Sequence, residues 1–282
     1  MSIEVSVVIP VYNGEKTLSA CIESVLDQTF KDYEVIFVNN NSTDRTAEIL
    51  KKYPVRAVFE AVRIRGTARD TGIKSANGKI IVCTDADCIF EKDWLEKLTK
   101  PLIEEREVAS QGSEKPVFLN FWTKAQQLKS ENHFNKIIEK GYVECVDTKN
   151  FAIQKDVLAK IGNFNKNIHV AEDMDLCLRL FLNGYKIKFS NAVVMHFHRD
   201  NLIKIMENEF QKGLWSTKIK KQYPHIKHPL FEAESVFGFV KFIPGLIYFF
   251  LNGKYSFSQA IFEFLTGVAW RAGVVSSWFK WS

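Results

Sequence analysis

Apolar positions in the first third of the chain fall into short runs separated by stretches of helical spacing. Residues 5–9, Val-Ser-Val-Val-Ile, are nearly all apolar and close on Pro10. Such a run fits a strand covered on both faces of a parallel sheet. Asn13 is placed to cap a following helix, in which Leu18, Cys21, Ile22, Val25 and Leu26 recur at helical spacing. Glu-Val-Ile-Phe-Val at 34–38 predicts a second buried strand. The polar loop 39–44 ends in good N-cap residues, ahead of a helix over roughly 44–52. A third strand is predicted at 55–59 and a helix over much of 66–76, ended by Asn77-Gly78. Residues 79–84 read as a fourth strand. Further on, the pattern predicts a helix around 120–140 and short strands near 142–147 and 150–154. A helix runs from Glu172 to Gly184, and a strand pair lies within 186–196.

Strand alternating with helix predicts right-handed crossovers and a mostly parallel, doubly wound sheet. Ligands of such sheets bind outside the carboxyl ends of the strands. The loops to watch are therefore 10–13, 39–44 and 85–88.

Composition narrows the class. The chain has 282 residues, 46% hydrophobic and 25% charged, which excludes disorder and low-complexity architectures. The net charge of +5 comes from 38 Lys and Arg interleaved with 33 Asp and Glu, without the concentrated basic stripe of a nucleic-acid reader. No nucleic-acid partner is expected. The five cysteines are odd in number and lack zinc-ligand spacing, so neither a disulfide framework nor a structural zinc is expected. With no signal segment ahead of the first strand, the expected compartment is reducing and cytoplasmic.

Three clusters can carry chemistry. Asp85 and Asp87 lie two apart, directly after an apolar strand. Two carboxylates this close repel, which raises one pKa or calls for a cation. A divalent ion shared with substrate phosphates answers that need. Glu172, Asp173 and Asp175 open a helix, where acids suit the helix dipole, yet one facing a cleft suits a catalytic base. His196 and His198 share one face of a strand and could ligate a metal or meet phosphate, or make ordinary strand-end hydrogen bonds.

Taken together, several segments resemble the family 2 glycosyltransferases of the GT-A fold. They are Val-Val-Ile-Pro-Val-Tyr-Asn (7–13), Val-Asn-Asn-Asn-Ser-Thr-Asp (38–44), Gly-Thr-Ala-Arg-Asp-Thr-Gly (66–72) and Asp-Ala-Asp (85–87). Gly162-Asn163-Phe164-Asn165 and Glu172-Asp173-Met174-Asp175-Leu176-Cys177-Leu178-Arg179 continue the likeness, which spans about residues 4–200. The resemblance implies a Rossmann-like, doubly wound mixed α/β sheet. It implies an inverting, metal-dependent, hexosyltransferase-type enzyme of the non-processive branch, using Mn²⁺ or Mg²⁺ and a UDP-sugar or GDP-sugar donor. Pro10, Tyr12 and Asn13 would line the base pocket. Asn40 stands where the family often has an Asp contacting the base, and Asn39 and Asn41 also depart from the commonest pattern. Arg69 would stand near the nucleotide-sugar, and Asp85 would face the ribose or sugar. Asp87 would ligate the metal, with His196 approaching it from the C-terminal side. Asp173 would deprotonate the acceptor hydroxyl.

From Phe231 the composition changes. Residues 235–252 and 257–281 are rich in Phe, Trp, Ile and Leu, but Lys241, Pro244-Gly245, Glu263 and Arg271 interrupt them. Neither is a clean span. Aromatic residues with scattered Lys and Arg suit a hairpin lying in a membrane interface, with insertion into the membrane or packing against protein as the other readings. Lys212, Lys218, Lys220 and Lys221 would add attraction to anionic lipid. The expected organisation is a catalytic domain over 1–222 and a hydrophobic helical appendage over 223–282. The expected location is the cytoplasmic face of the cell membrane, peripheral or C-terminally inserted, the acceptor being a hydroxyl or phosphate that is lipid-linked or on a growing glycan. Two alternatives stand beside this reading. One is a nucleotidyltransferase making sugar nucleotides, which would want a Gly-rich, basic loop after the first strand. The other is a non-catalytic membrane scaffold retaining the fold, against which Asp85, Asp87 and Asp173 argue.

Overall fold

The computed structural model describes residues 3–226, 247, 251 and 256–281. Elements follow in the order β1 (Val5–Val11), α1 (Leu18–Leu26), β2 (Tyr33–Asn39), α2 (Thr46–Leu50), β3 (Arg56–Phe59), α3 (Arg65–Ser75) and β4 (Ile80–Thr84). Then come β5 (Cys88–Phe90), α4 (Trp94–Ile103), β6 (Ala109–Pro116), α5 (Phe121–Ile137), β7 (Ile138–Glu139), β8 (Tyr142–Val143) and β9 (Asn150–Gln154). The remaining elements are α6 (Lys155–Lys160), α7 (Glu172–Leu182), β10 (Ile187–His196), α8 (Leu202–Gln222) and α9 (Phe257–Lys280). The chain forms two compact units, Met1–Phe118 with Phe134–Phe197, and Leu119–His133 with His198–Ser282.

The first unit is built on one sheet with strand order β3-β2-β1-β4-β9-β6-β10-β8-β7, and β5 pairs with β10. The four strands read from the apolar runs sit side by side and parallel, as β3-β2-β1-β4. β1 is almost wholly buried and continues through Pro10 to Val11, beyond the proline that was expected to end it. The expectation of a mostly parallel sheet gives way in the second half, where β9 runs antiparallel to both β4 and β6. Parallel neighbours need a crossover connection. The segment entering β9 is irregular, so the strand arrives from the opposite end. The expected strand pair within 186–196 is a single strand, β10, with a register shift between Phe189 and Val193. That bulge breaks the apolar alternation and mimics a turn.

Asn150 fastens the middle of this sheet. Its Oδ1 accepts from the buried Trp94 indole at 2.9 Å, and its Nδ2 donates to the carbonyls of Ser113 and Ala192. A buried amide is tolerated when its groups are paired in this way. The main core lies under β1, β2 and β4 and is filled by Val5, Val7, Ile9, Ile22, Phe37, Val82, Trp94 and Leu98. All five cysteines are free and buried.

Asn13 does not cap α1. It adopts a left-handed conformation (φ 51°), and the residue before the helix is Thr17. The reason is local. Asn13 Oδ1 accepts from Thr43 N at 2.8 Å, so the side chain serves the neighbouring loop instead.

In the second unit α8 packs along α9 at very short range. A Cβ on Gly213 would collide with the carbonyl oxygen of Trp270, and one on Gly273 with that of Phe210. Backbone therefore meets backbone twice, which only glycine allows. Lys129 of α5 bonds Glu209 of α8 at 2.8 Å and Thr266 of α9 at 3.2 Å. Burial alone would raise the Glu209 carboxyl, but Lys212 and Lys129 hold it well below the usual carboxylate range. The expected domain boundary at 222/223 falls inside this unit, because α8 takes its packing partner from α9.

Among the described residues no helix is long and apolar enough to cross a membrane. Apart from Ile247 and Leu251, both exposed, the stretch 235–252 lies outside the described residues. α9 buries Phe262, Ala269 and Val274 and exposes Ile261, Phe264, Val275, Trp278 and Phe279. The exposed set recurs at helical spacing and forms one apolar side.

Candidate active site

The site sits at the carboxyl ends of β1, β2 and β4, where the strand order reverses around β1. The loop Asp85-Ala86-Asp87 is pinned through its backbone. Thr17 Oγ1 donates to Ala86 O at 2.9 Å, and Phe197 N donates to Asp87 O at 2.9 Å. Thr84 at the end of β4 donates to Lys149 O at 2.7 Å. The two carboxylates then diverge in use. Asp85 Oδ1 accepts from Arg69 Nη2 at 2.6 Å. Asp87 Oδ2 lies 3.4 Å from His196 Nε2, and its side chain is 45% exposed, which leaves it reachable from solvent.

Arg69, expected beside the nucleotide-sugar, is fully buried. Its second arm bonds Glu172, itself 2% exposed, and Arg65 lies 3.9 Å from the same carboxylate. Arg69 thus ties the β4 loop to the start of α7 and reaches the site only through Asp85. Burial disfavours its charge, yet Asp85 and Glu172 raise its pKa above the usual arginine value.

His196 ends β10 with its two nitrogens engaged on opposite sides. Nδ1 lies 3.1 Å from Glu114 Oε2 of β6, while Nε2 faces Asp87. Burial alone would lower its pKa, but Asp87 and Glu114 raise it to about 9. The same Glu114 oxygen lies 3.2 Å from Lys149 Nζ, and Lys149 also pairs with Asp147. Burial opposes charge on Lys149, but Asp147 and Glu114 keep its pKa well above the usual lysine value. His198, on the far side of the unit boundary, is buried.

Asp173 lies in the first turn of α7, half-buried, with Oδ1 accepting from Met174 N at 2.8 Å. Burial raises its pKa, and the charges of Glu172 and Asp147 add to this, carrying it to about 6. A carboxyl group tuned this close to neutrality suits proton transfer. The residue before the helix, Ala171, is left-handed with φ 66°. Asp175 is fully buried and pairs with Arg179, one turn further along α7, at 2.8 Å.

The nucleotide side is built by two interlocked loops. Pro10 pairs with Val38 in the β1–β2 ladder. Tyr12 follows, 49% exposed and so open to a ligand, with the Arg63 guanidinium 5.4 Å from its ring centroid. The three asparagines at 39–41 all have backbone partners. Asn39 Oδ1 accepts from Ser42 N, while Asn40 and Asn41 donate to carbonyls of the segment 60–62. A carboxylate at 40 or 41 would face those carbonyl oxygens without a proton to give. The departure from aspartate is thus explained by the strap that these amides form.

Sequence reasoning missed Glu114, Lys149, Glu172 and Arg63. For Glu172 the sequence offers the helix dipole but not the bond to Arg69. Glu114 and Lys149 carry no local signal, since only the order β9-β6-β10 brings them to His196.

The family model for glycosyl transferase family 2 matches residues 6–162. The glycosyltransferase AglE of Haloferax volcanii is 25% identical over 217 residues, covering 74% of this chain and 71% of the relative. The uncharacterized glycosyltransferase EpsJ of Bacillus subtilis is 37% identical over 101 residues, where the chain spans only 29% of that relative. Among solved structures, the mannosyltransferase PcManGT from Pyrobaculum calidifontis, in complex with GDP-Man and Mn²⁺, is similar with a TM-score of 0.70. It is 18% identical, and the match covers 99% of this chain and 88% of that one. S. aureus TarS 1-349 in complex with UDP-GlcNAc gives a TM-score of 0.56 at 19% identity, covering 77% of this chain and 66% of that one. The mixed α/β sheet is of the GT-A glycosyltransferase type. The chain belongs to glycosyl transferase family 2, and it is a glycosyltransferase.

Proposed function

We propose that this enzyme moves a hexosyl group, with inversion, from a UDP- or GDP-linked donor to a hydroxyl of a lipid-linked or glycan acceptor. The observation that carries the reading is the meeting of Asp87 with His196 at the end of β4. A carboxylate and an imidazole converging there suit a divalent ion, and the nitrogen ligand favours Mn²⁺ over Mg²⁺. Glu114 on Nδ1 leaves Nε2 to face the ion, the usual arrangement of a metal-binding histidine. When bound, the ion neutralises charge on the departing diphosphate.

The protein's own groups do the rest. Arg69 holds Asp85 towards the donor. Asp173 takes the proton of the acceptor hydroxyl as that oxygen attacks the anomeric carbon from the face opposite the diphosphate. One carbon–oxygen bond forms, the bond to the diphosphate breaks, and the configuration inverts. The exposed apolar side of α9 supports docking in a membrane interface.

The full chain incubated with UDP- and GDP-hexoses should release the nucleoside diphosphate with Mn²⁺ present and stop on chelation. Release untouched by EDTA, or a product with retained anomeric configuration, would refute the mechanism. Failure of the full chain to float with anionic vesicles would refute the docking.

A further inference from the structure

The first turn of α7 faces an ion pair from a distant part of the chain. Cys177 Sγ donates to Glu144 O at 2.9 Å, which packs α7 on the segment leading into β9. Asp173 stands four residues before Cys177 and so on the same side of the helix, turned towards that segment. The segment ends in Asp147-Thr148-Lys149, whose backbone is fixed. Gln111 of β6 accepts from Asp147 N at 2.8 Å and donates to Asp147 O at 3.1 Å. Lys149 N donates to Asp147 Oδ1 at 3.2 Å, and Lys149 O accepts from Thr84 Oγ1. The largely buried Lys149 ammonium bonds Asp147 on one side and lies 3.2 Å from Glu114 on the other. One cation thus joins a carboxylate beside Asp173 to the carboxylate behind His196.

Several groups surround Asp173. Glu172 on its own helix and Asp147 favour its protonated form, and Arg69 of α3 opposes them. Arg65 of α3 also feels its charge, but both arginines are drawn to Glu172. The thiols of Cys145 and Cys177 lie close as well, and burial keeps them neutral. Asp147 is thus the acid that comes from outside α7. A carboxylate bonded to an ammonium acts on a third charge as a dipole; without the ammonium its whole negative charge is felt. Resting on the reading of Asp173 as the base, we propose that Lys149 is a positioning residue that sets the proton affinity of Asp173. It holds Asp147 in place and screens its charge, which keeps the base free of its proton at neutral pH.

The test is a set of thermal melts of the full chain across pH, with and without Asp173→Asn, in several backgrounds. In the unaltered chain the stability gained by Asp173→Asn fades as pH falls through about 6. With Lys149→Met the fade should begin about one pH unit higher, and with Asp147→Asn about one unit lower, the low end of what a nearby charge does. Lys149→Arg keeps the charge and should match the unaltered chain. Lys149→Met combined with Asp147→Asn should return towards it, which a merely structural loss would not do. Should Lys149→Met fail to fold, Asp147→Asn and Lys149→Arg carry the test. The acidic limb of kcat at saturating Mn²⁺ should move with the melts. A fade at the same pH in every background overturns the inference, as does a shift that Lys149→Arg reproduces. Melts that shift while the limb of kcat stays fixed support the hold of Lys149 on the Asp173 proton and remove Asp173 as the base.

Discussion

Asp85-Ala86-Asp87 and Glu172-Asp173-Met174-Asp175 are both runs of closely spaced carboxylates at the end of a regular element, and the structure divides each by the same rule. In the first, Asp85 is tied to Arg69, and Asp87 faces His196 from a half-open position. In the second, Glu172 and Asp175 are buried against Arg69 and Arg179, while Asp173 keeps a raised pKa near 6. Arginines hold three of these acids, while Asp87 faces a histidine and Asp173 accepts from a backbone N–H. Sequence adjacency does not distinguish the two roles. The cationic partner does, and Arg69 serves both clusters at once.

The sharpest way to break this comparison is to neutralise the acid without an arginine. Asp173→Asn should lower kcat by about 10² to 10⁴, the range for losing a general base. The same change should raise Tm near pH 8. There the folded state holds an ionised group whose pKa lies at about 6 rather than 3.8. That strain is fully present above pH 6 and gone below about 3.8, so the gain in Tm should vanish as pH falls through this window. Thermal melts of both proteins across pH decide it; an equal Tm at every pH contradicts the assignment.

The next largest effect tests the scaffold half. Arg69→Met leaves two anions, Glu172 and Asp85, without their shared cation. Breaking a buried pair on one side costs about 3–5 kcal/mol. Urea unfolding should show that loss, and a change under about 1 kcal/mol would mean that water already satisfies both carboxylates.

A third effect concerns Asp87. His196 has its pKa raised to about 9, so metal must displace a proton from it over most of the neutral range. Mn²⁺ affinity should rise by up to tenfold per pH unit between about 6.5 and 9 and then level off. Affinity independent of pH in titrations would remove His196 from the ligand set. For stability the sign runs the other way. The raised pKa stabilises the apoprotein below about 6.5, and that contribution is lost as pH rises through 9.

The smallest effect probes the turn that presents Asp173. Ala171 holds a left-handed conformation that costs a non-glycine residue about 1 kcal/mol. Ala171→Gly should relieve it and raise stability by up to that amount, with kcat unchanged if only the backbone path matters.

Much of this was legible in the residues. Apolar runs gave β1, β2 and β4 to within two residues, and helical spacing gave α7. β6 was not legible, because Ala-Ser-Gln-Gly-Ser-Glu-Lys-Pro looks like a loop. Its buried Ser110 and Gln111 are satisfied by Leu98 O, Gly112 O, Asp147 O and Asn150 O, contacts that exist only after folding. Glu114 and Lys149 were invisible for the same reason. The motif gives Arg69 its position along the chain, while its burial between Asp85 and Glu172 follows from the fold.

The five sequestered thiols have a practical consequence. Burial pushes Cys83 and Cys177 up to about 12 and raises the other three as well, so the native protein should resist alkylating reagents. Cys83 lies within β4 and Cys177 within α7. Pulse labelling followed by peptide mapping would therefore time the opening of the two acid-bearing elements separately, with no probe added to the chain.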